Sequence, residues 1–434
     1  MSGFPNELQE YTPPPPGAVN EITPPSGILT INGDMDMKGG TLYNVNIPTN
    51  YGVSWDESAD TYARTGMLAG IATGLSPTIP LPIHEGMKRC ILDDSGNVLY
   101  FLDPNDSTLK ADGSAATIDD QSVGNVMVQI PKFWYKHSYA GTTHTWNIST
   151  VPMSGYTIHP AFIKNGEEVE FRYAGAYEGS LWDSTTSAMV ASGDIATSMY
   201  AAGDKLCSLS GEYPKTNETR AENRAAAAQR GTGWRQMDFD LMSAIQLLYI
   251  VEYADFDSQV MIGEGRTALS GGTWAADSYI GQCGKSNADG NGTNSVGGNS
   301  NNAYMTYRGI ENFFGNVWTF IDGFNVNDNV PYVSNTDTEF ADDTVTNYTD
   351  LGVTLANANG YQDTLEQIRR GFLPASVGAS SSTKITDYYY QAAGWRVLLF
   401  GGSAYGGSVA GVFFVGTSSD SSSAGVDGGA RLCF

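Results

Sequence analysis

Short apolar runs alternating with polar residues recur along most of the chain and are separated by clusters of Gly, Asn, Asp and Ser, a pattern that predicts many short strands joined by turns. From residue 28, Leu29, Ile31, Met35 and Met37 interleave with Thr30, Asn32, Asp34 and Asp36, and Gly39-Gly40 turns the chain into a second run at 41–47. The result is a β-hairpin with one apolar face. A hairpin this small is marginal alone, so that face is expected to find a partner in the next domain or in the same segment of other subunits. A further hairpin is expected where 91–92 and 98–102 flank Asp93-Asp94-Ser95-Gly96-Asn97. Residues 126–135 read as a strand closed by Pro131, and Val169, Phe171 and Tyr173 alternate with Glu170, Arg172 and Ala174.

Helical patterning is sparse. One helix is predicted to start near Asp238 or Asp240, either of which can cap it, with Leu241, Ile245, Leu248 and Val251 on one stripe. A second covers 220–230, where a run of alanines gives high intrinsic helicity. Residues 287–302 are almost entirely Asn, Gly, Ser and Asp and are expected to form a loop, and 325–368 reads as an acidic, weakly patterned insertion. Residues 1–26, with Pro13 to Pro16 and Pro24-Pro25, read as an extended arm. At the other end, 394–434 brackets a Gly/Ser-rich stretch with two strand-like segments and reads as a display surface.

Composition narrows the function. The 434 residues are 41% hydrophobic, enough for a substantial core, and 23 Lys+Arg against 47 Asp+Glu give a formal charge of -24. That charge repels nucleic acid and anionic membranes. No apolar run is long enough to span a bilayer, and the first residues lack the pattern of a signal peptide, so neither membrane insertion nor Sec export is expected. Cys90, Cys207, Cys283 and Cys433 show no metal or disulfide spacing and read as four unpaired thiols. The N-x-S/T triplets at Asn105, Asn147, Asn217, Asn291 and Asn347 read as chance matches.

The segment Gly33-Asp34-Met35-Asp36-Met37-Lys38-Gly39-Gly40-Thr41-Leu42-Tyr43-Asn44-Val45 resembles segments that recur in bacteriophage tail-fibre proteins, where they belong to intertwined homotrimeric β stems. Gly233-Trp234-Arg235, Gly315-Asn316-Val317-Trp318, Arg369-Arg370-Gly371-Phe372 and Gly394-Trp395-Arg396 resemble the formylglycine-generating-enzyme branch of the C-type-lectin fold. That branch includes phage tail-tip proteins and the targets of diversity-generating retroelements. The resemblance implies an α+β fold: a C-type-lectin-like domain of short strands, few helices and long loops, preceded by an extended arm and a β-hairpin stem. The implied organisation is an arm and stem at 1–50 for virion attachment and trimerisation, a small β-rich subdomain at 51–136, and a receptor-binding domain at 137–434 carrying the 325–368 insertion. It implies a tail receptor-binding protein at the host-facing tip of the virion, made in the host cytoplasm. The implied partners are other tail or baseplate proteins through 1–50 and a bacterial surface glycan or protein through the carboxyl-terminal loops. A retroelement-diversified adhesin is the alternative.

Trp234, Asn316, Trp318, Arg370, Trp395, Arg396 and Arg431 are expected to be structural anchors: the large aromatic Trp318 after a tight turn as core packing, and the arginines as partners of carboxylates and loop groups. Expected ligand-binding residues are Tyr405, Ser408, Val412, Phe413, Phe414, Asp420, Ser423 and Asp427, a mixture of rigid aromatics and short polar side chains suited to recognition. Strand alternation places one of Phe413 and Phe414 in the core. No enzyme activity is expected; an oxidase of the formylglycine-generating kind, the third reading, needs two converging cysteines, and only Cys433 lies late in the chain, with Cys283 as its one candidate partner. His137, His144 and His159 lack zinc spacing and read as solvated or hydrogen-bonded. No cofactor is expected; Asp337, Glu339, Asp342, Asp343 and Asp350 offer oxygen ligands of the kind a structural calcium ion takes, but read first as a solvated acidic loop.

Overall fold

Pairing of the short strands dominates the architecture. The computed structural model describes residues 50–434, so the arm and the hairpin at 28–47 lie outside the described residues. Strands Asn50–Asp56, Thr61–Gly66, Trp134–Ala140, Thr143–Ser149 and Thr157–Ile158 form a five-stranded antiparallel sheet. A six-stranded sheet runs in the order Arg235–Gln236, Leu432–Cys433, Phe171–Gly175, Asn125–Pro131, Lys88–Leu92, Val98–Phe101, its last two strands joined by the expected Asp93–Asn97 turn. The largest sheet has nine strands, with Val330–Val333, Trp318–Asn327, Trp395–Phe400, Val415–Thr417, Tyr388–Gln391 and Gly360–Leu365 as consecutive neighbours. Strands on both sides of residue 136 share the first two sheets, and Pro48–Phe434 form one compact unit.

The α+β expectation is corrected: the protein is mostly β, with 33% strand against 11% helix and three α-helices among the described residues. The excess strand comes partly from segments read as loops. Residues 325–368 supply Val330–Val333 and Gly360–Leu365 to the largest sheet, and Asn294–Val296 pairs with Tyr304–Tyr307. In 325–368 the strands were obscured by polar residues that face partners instead of water: Asn325 donates to the Ala341 and Thr344 carbonyls, and Gln362 to the Phe413 carbonyl.

The main helix, Phe239–Tyr253, is buried on every side and not along a single stripe, because it packs against strands of both the five- and the nine-stranded sheets. Asp238 is its cap, accepting from Leu241 N. Asp240 instead accepts from Nε and Nη2 of Arg370 at 2.7 and 2.6 Å. The helix Arg220–Ala228 starts with a reciprocal Thr219/Glu222 capping box. Among the described residues no helix is long and apolar enough to cross a membrane.

His84, His144 and His159 are buried, and His137 is half-buried beside His144. The rings of His137 and His144 stack on Trp146 at 5.4 and 5.0 Å, and His137 Nε2 lies 3.0 Å from His144 Nδ1. Glu57, which accepts from Tyr139 Oη, lies 3.4 Å from His144 Nε2. Burial pushes both histidines down to about 4, with each other's charge and Arg369 adding to the effect on His137. A chain unfolded in water titrates its histidines near about 6.5, so between that value and about 4 the unfolded state binds more protons and the pair's contribution to stability falls as the pH drops. Urea denaturation is expected to show a steeper loss of stability from neutral to mildly acid pH in the native protein than in a His137→Gln/His144→Gln variant. Equal slopes would place the titrating groups elsewhere.

Candidate functional site

Three cross-strand neighbours create a depression on the outer face of the largest sheet. Tyr390 pairs with Gly416, and Gly416 pairs with Leu399, so a residue without a side chain sits between two large ones. A Cβ at Gly416 would meet the Phe414 ring at 3.0 Å, so the glycine is what keeps the depression open. Trp318, Phe414, Ser418, Ser419 and Asp427 complete the lining of a cavity of about 320 Å³, at the small end of the roughly 300–1,000 Å³ usual for ligand sites.

The aromatic lining continues beyond the cavity. Trp318 meets Phe414 edge-on at 4.4 Å, Phe414 lies 5.9 Å from Tyr390, Tyr390 4.5 Å from Tyr388, and Tyr388 5.1 Å from Tyr361. The Tyr361 hydroxyl shares a 2.8 Å hydrogen bond with Ser408 in the carboxyl-terminal loop. Three residues earlier in that loop, Tyr405 is 66% exposed and its ring lies 5.9 Å from Tyr279, which contacts Trp274. The loop at 405–408 therefore stands between two groups of surface aromatics. Its backbone is fastened from below by Gly407 N to the Thr267 carbonyl and by Gln259 Nε2 to the Gly407 and Ala410 carbonyls.

The expected ligand-binding residues separate into two sets. Tyr405, Ser408 and Asp420 are exposed, and Ser423 and Asp427 are half-buried. Val412, Phe413 and Phe414 are fully buried, which corrects their expected role as a directly exposed binding set. Phe413 and Phe414 do face opposite ways. Phe413 enters the core against Phe256 at 4.7 Å and Phe372 at 5.2 Å, whereas Phe414 points to the outer face, where Trp318 and Tyr390 cover it. The two precede the strand Val415–Thr417, so the turn before it and not strand alternation sets the rings apart, and the outward ring forms the floor of the groove. Asp420 accepts from Ser422 and Ser423 within its own turn, and these bonds hold its carboxyl below the usual range. Burial raises the Asp427 carboxyl, which accepts from Trp318 Nε1.

Among the anchors, Trp318 is half-buried and walls the groove instead of filling the core, because it is the first residue of its strand and is backed by Gly428. Asn316 sits at φ +57°, donates to the buried Glu178 carboxyl and accepts from Gly281 N. The preceding Gly315 has φ +81°, and a Cβ there would lie 2.8 Å from the Arg266 carbonyl, so this turn requires glycine. Trp234 is buried with its indole donating to the Asp94 carbonyl. Arg431 is buried and donates to the carbonyls of Gly175, Glu311 and Asn312. Half-buried Trp395 lies 6.4 Å from Tyr332. Arg396 bonds only the Trp395 carbonyl, and its Nε has no partner.

Two other candidate chemistries find little geometry. The four thiols are buried and free, with burial pushing Cys433 up to about 11 and Cys283 well above its usual value. Of the carboxylates considered for calcium, Asp342 holds Arg220 and Arg224, and Asp337 holds Arg235. No group of three or more His, Cys, Asp or Glu among the described residues is placed to hold a metal ion. A second cavity, about 480 Å³, is lined by Arg224, Trp234, Arg235 and Phe340, but both arginines are already paired with buried carboxylates. No protein-family model and no curated protein matches the chain.

Proposed function

We propose that the protein is a phage tail receptor-binding protein whose carboxyl-terminal loops recognise a glycan or protein on the bacterial surface. The observation that carries this reading is the fastened loop at 405–408, which presents an exposed tyrosine and serine between two groups of surface aromatics. Rigid aromatic contact area beside short polar groups is the composition of adaptable binding surfaces. The tail-fibre-like segment at 33–45 supports the virion context.

The test is Tyr405→Ala. Its ring has one aromatic neighbour and is largely in solvent, so its removal should leave folding unchanged. Adsorption to the host is expected to fall at least about tenfold, roughly 1.4 kcal/mol, with the melting temperature intact. Unchanged adsorption by a folded variant would move the site away from this loop. The same reading assigns residues 28–47 to a homotrimeric stem and 1–50 to docking on other tail proteins. Light scattering is then expected to give a trimer for the full chain and a monomer for a chain starting at Pro48; a monomeric full chain contradicts the stem.

A further inference from the structure

Resting on the receptor-binding reading, we infer that the groove from Trp318 over Gly416 and Tyr390 to Tyr388 and Tyr361 binds a neutral polysaccharide, with one sugar ring seated above Gly416 and the glycan continuing toward Ser408. The groove has the amphiphilic make-up that such a ligand needs. A pyranose ring presents C–H faces and an equator of hydroxyls. The C–H bonds carry partial positive charge and pack on the negative faces of aromatic rings. The hydroxyls lose water on binding and need polar partners at the edges.

Both requirements are met. Tyr361, Tyr388, Tyr390 and Trp318 are each half-buried, so their edges are held while part of each ring remains accessible. Successive ring centroids from Tyr361 to Trp318 are 4.4–5.9 Å apart, a spacing on the scale of single sugar rings. Ser418, Ser419 and Asp427 supply hydroxyl and carboxylate groups beside the Gly416 depression, and the Tyr361–Ser408 pair supplies two more hydroxyls at the far end. The floor cannot close, because Tyr390 and Leu399 are held apart by the strand on which Gly416 lies.

Charge selects the class of glycan. The chain carries -24, and the lining of the Gly416 depression includes the Asp427 carboxyl group and neither Lys nor Arg. An anionic capsule or teichoic acid would be repelled, whereas a neutral polymer meets only hydrogen-bonding groups and rings.

The experiment incubates the full-length protein with an array of purified bacterial polysaccharides, neutral O-antigens and mannans beside anionic capsules and teichoic acids. Retention on one or more neutral polysaccharides, and on none of the anionic ones, is expected. Tyr390→Ala and Tyr388→Ala are each expected to weaken that retention at least about tenfold, and Tyr390→Phe, which keeps the ring, to retain most of it. Ser418→Trp, at an exposed position, fills the groove without touching the core and is expected to abolish retention even where a tyrosine variant folds poorly. Retention on anionic polymers alone, on none, or unchanged by Ser418→Trp overturns the inference. If no polysaccharide is retained but Tyr388→Ala still lowers cell adsorption, the receptor-binding reading survives with a protein as ligand. If it changes neither, both readings fail at this groove.

Discussion

Replacing Asp238 with alanine is expected to destabilise the protein by about 3–5 kcal/mol, the range for breaking a buried ion pair by removing one partner. One oxygen of this buried carboxylate caps the main helix, and the other accepts from Arg172 at 2.6 Å and Arg235 at 3.2 Å. Burial works to raise its pKa, but the two guanidinium groups win and hold it down at about 2. Alanine would leave Arg172 buried with only carbonyl and sulfur partners, while Arg235 keeps Asp337. Loss of the cap adds about 1 kcal/mol. Urea denaturation at neutral pH measures the sum, and Asp238→Asn, which keeps a capping oxygen, should fall between alanine and the native protein. A loss under about 1 kcal/mol for alanine would mean that the ion pairs do not hold the helix to the sheet.

The second large effect separates two adjacent phenylalanines. Phe413→Ala is expected to cost about 3–5 kcal/mol, as large aromatic truncations in cores do, because its ring is enclosed by Phe256, Phe372 and Tyr249. Trp318→Ala, at the neighbouring groove, removes a half-buried ring with one edge contact and one hydrogen bond, and should cost less than half as much. The ranking in ligand binding is reversed: the folded Trp318 variant loses binding, whereas Phe413→Ala loses it only as the protein unfolds. Thermal unfolding and adsorption on the same preparations give both rankings. Equal losses of stability would return Trp318 to the core.

Much of the local structure was legible in the residues. The Asp93–Asn97 turn and the helix capped by Asp238 follow from turn chemistry and capping, whereas aromatic size misplaced Trp318. The largest sheet was not legible, because period-two patterning fails where polar side chains are buried with specific partners. Asp322, inside the strand Trp318–Asn327, is taken by Arg224 and Gln236, contacts about a hundred residues away in sequence. The fold class was misjudged for the same reason.

The groove was half visible. The carboxyl-terminal loop was singled out by its Gly/Ser composition, and Tyr405 by the glycines beside it. Tyr361, Tyr388, Tyr390 and Leu399 were missed. One signal was available: in Tyr388-Tyr389-Tyr390, strand alternation must place two rings on one face, and here Tyr389 is buried while the flanking pair lines the groove. What no local signal could supply was the cross-strand register that brings Gly416 between Tyr390 and Leu399.

The central claim, that this face recognises the receptor, is tested most directly by adsorption of three folded variants measured together: Tyr405→Ala, Tyr390→Ala and Leu99→Ala. Leu99 is an exposed apolar residue in the six-stranded sheet and serves as the control. Adsorption is predicted to fall at least about tenfold for each tyrosine variant and to stay at the native level for Leu99→Ala, with all three melting temperatures near native. Native adsorption by both tyrosine variants, or a comparable loss on removing Leu99, would contradict the account.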